Sequence, residues 1–155
     1  MPKHVMRRSA ADNVYLHRDF HGAMSTAIQY LEDTYGPEAV REYLRQFAKV
    51  YYAPLRDAIR ERGLVALKEH LEAIYELEGS EVRIVCCDDE LLLEVAACPA
   101  VTHIRRRGDR VARMFVETTS TVNEALMAGT PFAFELLEYE EETGRSRQRF
   151  YRRRA

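Results

Sequence analysis

The feature that most constrains this chain is a change of hydrophobic period at Gly79. Apolar residues recur every three to four positions before it and every second position after it. The first pattern buries a stripe of a helix and the second buries one face of a strand, so the two halves call for different elements. Phe20, Met24, Ala27, Ile28, Leu31 and Tyr35 form the first helical stripe, which Gly36-Pro37 ends before opening the next. Val40, Tyr43, Leu44, Phe47 and Tyr51 form the second. A short helix is predicted from Pro54 to Arg62, closed by Gly63, and another carries Leu64, Leu67, Leu71, Ile74 and Tyr75 up to Gly79.

Beyond Gly79, Val82, Ile84 and Cys86 alternate with other residues, Cys87-Asp88-Asp89-Glu90 turns the chain, and Leu91, Leu93 and Val95 return as the second arm of a hairpin. Pro99 suits a first helical position, which makes Cys98 the N-cap of a helix ending near Gly108. From there to Phe115 no pattern sets the conformation. Thr121-Val122-Asn123-Glu124 reads as a capping box, with Gly129 at the far end of its helix. Phe132, Phe134 and Leu136 lead into Glu140-Glu141-Glu142-Thr143-Gly144. The returning strand sets Arg147, Arg149 and Tyr151 on one face and Gln148 and Phe150 on the other. The fold class is therefore α+β: an N-terminal helical layer packed on an antiparallel sheet built from two hairpins with short intervening helices. A single domain is expected over residues 1–155, with 1–15 flexible, 16–79 helical and 80–155 holding the hairpins and short helices.

Charge and cysteine content narrow the function classes. With 23 Lys plus Arg against 25 Asp plus Glu, the net charge of −2 supplies no global field for nucleic acid. Arg105-Arg106-Arg107 and the Arg152-Arg153-Arg154 tail read as solvated surface, the tail leaving open an interaction protein as a third reading. The cysteines number 3, two of them adjacent as Cys86-Cys87, which is no set of paired bridges and points to a reducing compartment. No apolar run reaches the roughly 7–15 residues of a secretory signal core or the ~20 of a membrane span. The expectation is a cytoplasmic protein with no membrane partner.

Several residues are candidates for chemistry. As an N-cap, Cys98 would face unpaired amides and a partial positive charge that favour the thiolate. His103 follows five residues later, about 500° of rotation or a net ~140°, so the base for Cys98 should come from another element. His17 and His21 share an i, i+4 spacing that can place two imidazoles on one helix face for a metal or for proton transfer. His21 lies at the edge of the apolar stripe. Glu117, Asn123 and Glu124 fall near the start of the second short helix, where capping accounts for Glu124. Each candidate has a structural reading beside it: a buried structural cysteine, surface or capping histidines, and a core role for Tyr43, Phe47, Tyr51 and Tyr75. No stretch assembles a complete ligand set, so neither a metal nor a cofactor is expected.

The residues His17-Arg18-Asp19-Phe20-His21-Gly22, Tyr35-Gly36, Cys98-Pro99, His103, Phe115 and Gln148-Arg149-Phe150 carry a resemblance. Over about Leu16 to Arg153 the chain resembles the L-2-amino-thiazoline-4-carboxylic acid hydrolase-like family. That resemblance implies a small α+β ligand-binding domain related to the vinyl reductase and haem-NO-binding type. It also implies hydrolysis of a C–N bond in a small sulfur-containing heterocyclic amino acid. The family pattern places cysteines after the Phe115 position and near the final strand, where this chain has Val116 and Ser146. On the catalytic expectation, Cys98 attacks an amidine or amide carbon while His21 or His103 moves the proton, and His17, Glu117 and Asn123 contact the small-molecule ligand. The alternative is a non-catalytic ligand-binding or sensor module, with a homodimer left open.

Overall fold

The computed structural model describes residues 18–154, with side chains from Phe20 onward. His17 and the expected flexible stretch 1–15 lie outside the described residues. Four helices come first: α1 (Arg18–Tyr35), α2 (Pro37–Tyr51), α3 (Ala53–Arg62) and α4 (Leu64–Glu78). Then come β1 (Val82–Cys86), β2 (Glu90–Val95), α5 (Pro99–Arg106), a 3-10 turn (Phe115–Thr118), α6 (Ser120–Met127), β3 (Phe132–Tyr139) and β4 (Ser146–Arg152). The period change at Gly79 coincides with the change of structure. Gly79 itself closes α4 in the left-handed region, at φ 65° and ψ 31°, which glycine enters without a Cβ penalty.

The two hairpins join into one antiparallel sheet of order β1-β2-β4-β3, because β2 pairs with β4. Leu91, Leu93 and Val95 oppose Phe150, Gln148 and Ser146, so a single face collects all six. These six residues are buried beneath the helices. The other face carries a ladder of alternating charge, Arg83–Glu94–Arg147–Glu138, paired across β1, β2, β4 and β3, with the β3 register shifting between Leu136 and Glu138. Arg147 reaches both Glu94 (3.6 Å) and Glu138 (2.9 Å). A one-sided antiparallel sheet shows this division of apolar inside and charged outside. The α+β class read from the sequence is the observed one.

Two apolar clusters hold the domain together. One joins α1 and α2 to α5 through Ile28, Val40, Leu44, Val101 and Ile104. The other packs Ile59, Leu64, Leu67 and Met127 on the sheet against Leu91, Leu93 and Phe150. Tyr52, between α2 and α3, touches both.

Two expectations need correction here, and the segment without a pattern is now placed. The aromatic stripe is not uniformly core: Tyr43 is 40% and Tyr51 63% exposed, because α2 buries the row Val40–Leu44–Ala48 and these tyrosines flank it. Phe47 packs partly against the first cluster and Tyr75 against the second. The capping box is not formed, since α6 begins at Ser120 and no side chain caps it. The 3-10 turn runs almost directly into α6, so Thr121 is already inside the helix and its hydroxyl donates to Glu117 Oε2 at 2.5 Å. Finally, Gly108–Phe115 takes its shape from tertiary contacts: the buried Ala112 amide donates to Ser25 Oγ (2.9 Å), and the Arg113 guanidinium pairs with Asp33 and Glu32 of α1.

Candidate functional site

The β2–α5 junction brings the chain from the buried end of β2 into α5 within a few residues. Cys98 is extended, at φ −70° and ψ 122°, and Pro99 opens the helix, as its fixed φ and missing N–H allow. The β3–β4 turn closes over this point. The Cys98 amide donates to Thr143 O at 2.9 Å, and Gly144, at φ 68°, lies so near that an added Cβ would overlap Cys98 Cβ and come within 3.0 Å of Val101 Cγ2.

The sequence leaves two readings of Cys98, a cap-position thiolate and a structural cysteine, and its surroundings favour the second. Burial pushes the Cys98 thiol above its ordinary value, while the nearby Val101 and Ala100 amides pull it down and the Glu78 carboxylate adds to the rise. Burial outweighs the helix start, so the net effect raises the thiol rather than lowering it. The same enclosure acts on its neighbours. Burial is the main cause that pushes Tyr139 up to about 12 and raises Tyr75, with Cys98 the next contributor in both.

Two of the candidate histidines meet beside it. His21, on α1, faces His103, on α5, with ring centroids 6.4 Å apart and an edge-on angle of 64°. His21 Nε2 lies 2.9 Å from Glu78 Oε1, a carboxylate at the end of α4 whose side chain is 5% exposed against 17% for the imidazole. A buried carboxylate needs such a donor, so the contact ties α1 to α4. His103 Nε2 is buried and has no hydrogen-bond partner. Ser80 fastens the same corner from the other side, its hydroxyl donating to Ala97 O at 3.2 Å.

A cleft of about 350 Å³ opens at this corner, with Glu78, Ser80 and Glu81 on one wall and Thr102, His103 and Arg106 on the other. Its volume lies in the range that holds a small molecule. Both signs of charge line it, with Glu81 in the α4–β1 connection and Arg106 at the end of α5. Among the described residues, His103 is the one catalytic or ligand candidate from the sequence that lines this cleft. Pro99 lines it in place of Cys98, which sits behind, and His21 reaches it through Glu78.

Glu117 and Asn123 belong elsewhere. Glu117 accepts from Arg41 Nε (3.3 Å) and from the Thr121 hydroxyl, joining α2 to α6. Asn123 Nδ2 donates to the buried Gln148 Oε1 (3.1 Å), and Gln148 Nε2 donates on to Ser146 Oγ (3.0 Å). Both side chains therefore hold α6 to its neighbours. His17 lies outside the described residues, so its pairing with His21 is not described. Among the described residues no group of three or more His, Cys, Asp and Glu is placed to hold a metal ion, and no helix is long and apolar enough to cross a membrane.

Glu78, Glu81 and Arg106 were not singled out by sequence reasoning. Arg106 reads as one of three consecutive surface arginines. Nothing local marks them, because the cleft forms only when α4 and α5 meet. No protein-family model matches the chain, and no curated protein matches it.

Proposed function

We propose that this domain binds a small polar molecule in the cleft between the end of α4 and α5, and that it does so without using Cys98 as a nucleophile. The observation that carries this reading is the convergence of Glu78, Glu81, His103 and Arg106 on one cleft of ligand size, with the half-buried Cys98 outside its lining. Paired opposite charges on facing walls suit a ligand that carries both an acidic and a basic group, each held by its counterpart. The resemblance to the L-2-amino-thiazoline-4-carboxylic acid hydrolase-like family points to the same chemical class, and 2-amino-thiazoline-4-carboxylate is accordingly the first probe. Calorimetric titration with that compound should give saturable binding to the wild type and a loss of about tenfold or more in Arg106→Ala or Glu81→Gln, since each removes a charge-assisted contact. Undiminished binding in both variants overturns the assignment of the cleft.

A second reading, C–N hydrolysis with Cys98 as nucleophile and His21 or His103 moving the proton, draws on one observation. Cys98 stands at the N-cap of α5, where the nearby Ala100 and Val101 amides would stabilise a thiolate if the β3–β4 turn lifted and admitted water. Consumption of the same probe by wild-type protein but not by Cys98→Ser separates this reading from binding alone.

A further inference from the structure

Away from this cleft, the adjacent cysteines at the end of β1 form a pair that the fold turns toward a common space. Neighbouring residues of a regular strand point to opposite faces. β1 stops at Cys86, however, and Cys87 begins the turn, its amide donating to Glu90 O at 2.8 Å. The bend brings both residues to the lining of one cleft of about 530 Å³, between this turn and the α3–α4 junction, where Lys68 and Phe132 also lie. The Cys86 thiol is directed at the Cys87 carbonyl, 3.6 Å away, so its sulfur lies over the following peptide. Cys87 is exposed, and both are free thiols. Burial lifts the Cys86 thiol above its ordinary value and the Lys68 ammonium opposes that rise. This cleft shares no lining residue with the one that holds His103.

Two thiols so placed have a restricted chemistry. Consecutive Cα atoms are ~3.8 Å apart across a trans peptide, shorter than the ~4.4–6.8 Å that an ordinary disulfide spans, so a direct S–S bond at ~2.05 Å strains the turn. A single atom bridging the two sulfurs tolerates a wider S···S separation. Zinc takes four ligands in a structural site, and among the described residues no group of three or more His, Cys, Asp and Glu gathers here. We propose that Cys86 and Cys87 are a vicinal dithiol site for a thiophilic centre with two exchangeable ligands, of which trivalent arsenic is the type. With phenylarsine oxide the step balances without oxidation: two S–H bonds and the arsenic–oxygen bond break, two As–S bonds form, one water leaves and arsenic stays trivalent.

The test uses phenylarsine oxide on the full chain, with intact mass to count adducts and iodoacetamide mapping to locate them. Wild-type protein should take one arsenical per chain, with Cys86 and Cys87 protected and Cys98 unaffected. The adduct should survive an excess of monothiol and release to 2,3-dimercaptopropanol. Cys87→Ser and Cys86→Ser should each weaken capture by about 100-fold or more, because the second As–S bond is intramolecular. Cys87 is exposed, so Cys87→Ser carries the test even if Cys86→Ser disturbs β1. An adduct that persists in the double variant, or undiminished alkylation of either cysteine in treated wild type, overturns the proposal.

Discussion

Gly144 and Cys98 are packed so closely that no side chain fits between them: a Cβ on Gly144 would overlap that of Cys98. The contact fastens the tip of the β3–β4 hairpin to the start of α5, and the hydrogen bond from Cys98 N to Thr143 O fixes its register. Gly144 also sits at φ 68°, a region that L side chains rarely adopt. Gly144→Ala should therefore destabilise the domain by about 1–3 kcal/mol, combining backbone strain with overpacking. Urea unfolding measures the loss. A lifted hairpin tip should also raise the alkylation rate of Cys98, and a variant as stable as wild type with Cys98 equally protected contradicts this account.

Ser25 is a polar residue within the first apolar cluster, and its purpose is specific. Its side-chain oxygen accepts from the Ala112 amide at 2.9 Å, and both residues are buried. Ser25→Ala should cost about 1–3 kcal/mol by stranding that amide. Ser25→Thr keeps the acceptor and should recover part of the loss. Equal thermal midpoints for wild type and Ser25→Ala would show that the Gly108–Phe115 segment is held by other contacts.

Arg56 illustrates a cation without an acidic partner. Its guanidinium donates to Ala48 O and Lys49 O in the last turn of α2 and to Ala125 O in α6, at 3.4–3.5 Å, leaving Nε without a partner. Two helix C-termini, each with a partial negative charge, thus converge on one positive group. Arg56→Met preserves much of the aliphatic stem and should cost about 1–2 kcal/mol, read as a lower urea midpoint at unchanged slope. Arg56→Lys should recover part of the loss, and no change in Arg56→Met rules out the charge-to-dipole role.

How much of this was legible follows from where each signal resides. The hairpins and five of the six helices follow from period, glycine and proline, which are local properties. Glycine at 36, 63 and 79 ends a helical pattern in the sequence and has positive φ in the structure. α6 shows the limit: Thr121-x-x-Glu124 matches a capping box, yet Thr121 is spent on Glu117 because the preceding turn joins the helix. The thiol at Cys98 shows it again. Pro99 placed it correctly at a helix start, but its ionisation is set by burial under Gly144 and Thr143, some 45 residues away in sequence. His21 and His103 were each visible alone; Glu78, which links His21 to the cleft, was not.

Asn123, read from the sequence as a ligand contact, has a structural role that can be measured. It donates to Gln148, a buried amide in the middle of β4, and Gln148 passes a hydrogen bond to the buried Ser146. Asn123→Ala should cost about 1–3 kcal/mol by leaving the Gln148 carbonyl short of a donor in an apolar setting. Binding of 2-amino-thiazoline-4-carboxylate should be unchanged at a temperature where the variant is folded. A variant of wild-type stability that no longer binds the probe would instead return Asn123 to the ligand site.

The Cys98 thiol makes a pH-dependent contribution whose sign follows from its raised pKa. An unfolded chain ionises this thiol near ~8.5, whereas the folded chain retains the proton to higher pH. Between those values the unfolded state binds fewer protons than the native state, so stability falls as pH rises; below ~8.5 both states are protonated and the group contributes no slope. Cys86, raised by its own burial, adds a decline in the same direction, so the Cys98 share must be isolated by difference. Urea midpoints measured from pH 7 to about pH 10 should decline less steeply in Cys98→Ala than in wild type, whatever constant offset the lost sulfur introduces. Iodoacetamide should modify Cys98 slowly at neutral pH and faster as pH rises, well after exposed Cys87 has reacted. A wild-type midpoint that instead rises relative to Cys98→Ala between pH 7 and ~8.5, together with Cys98 alkylation at pH 7 faster than that of a free thiol, would show a thiolate-forming cysteine and restore the catalytic reading of the α5 start.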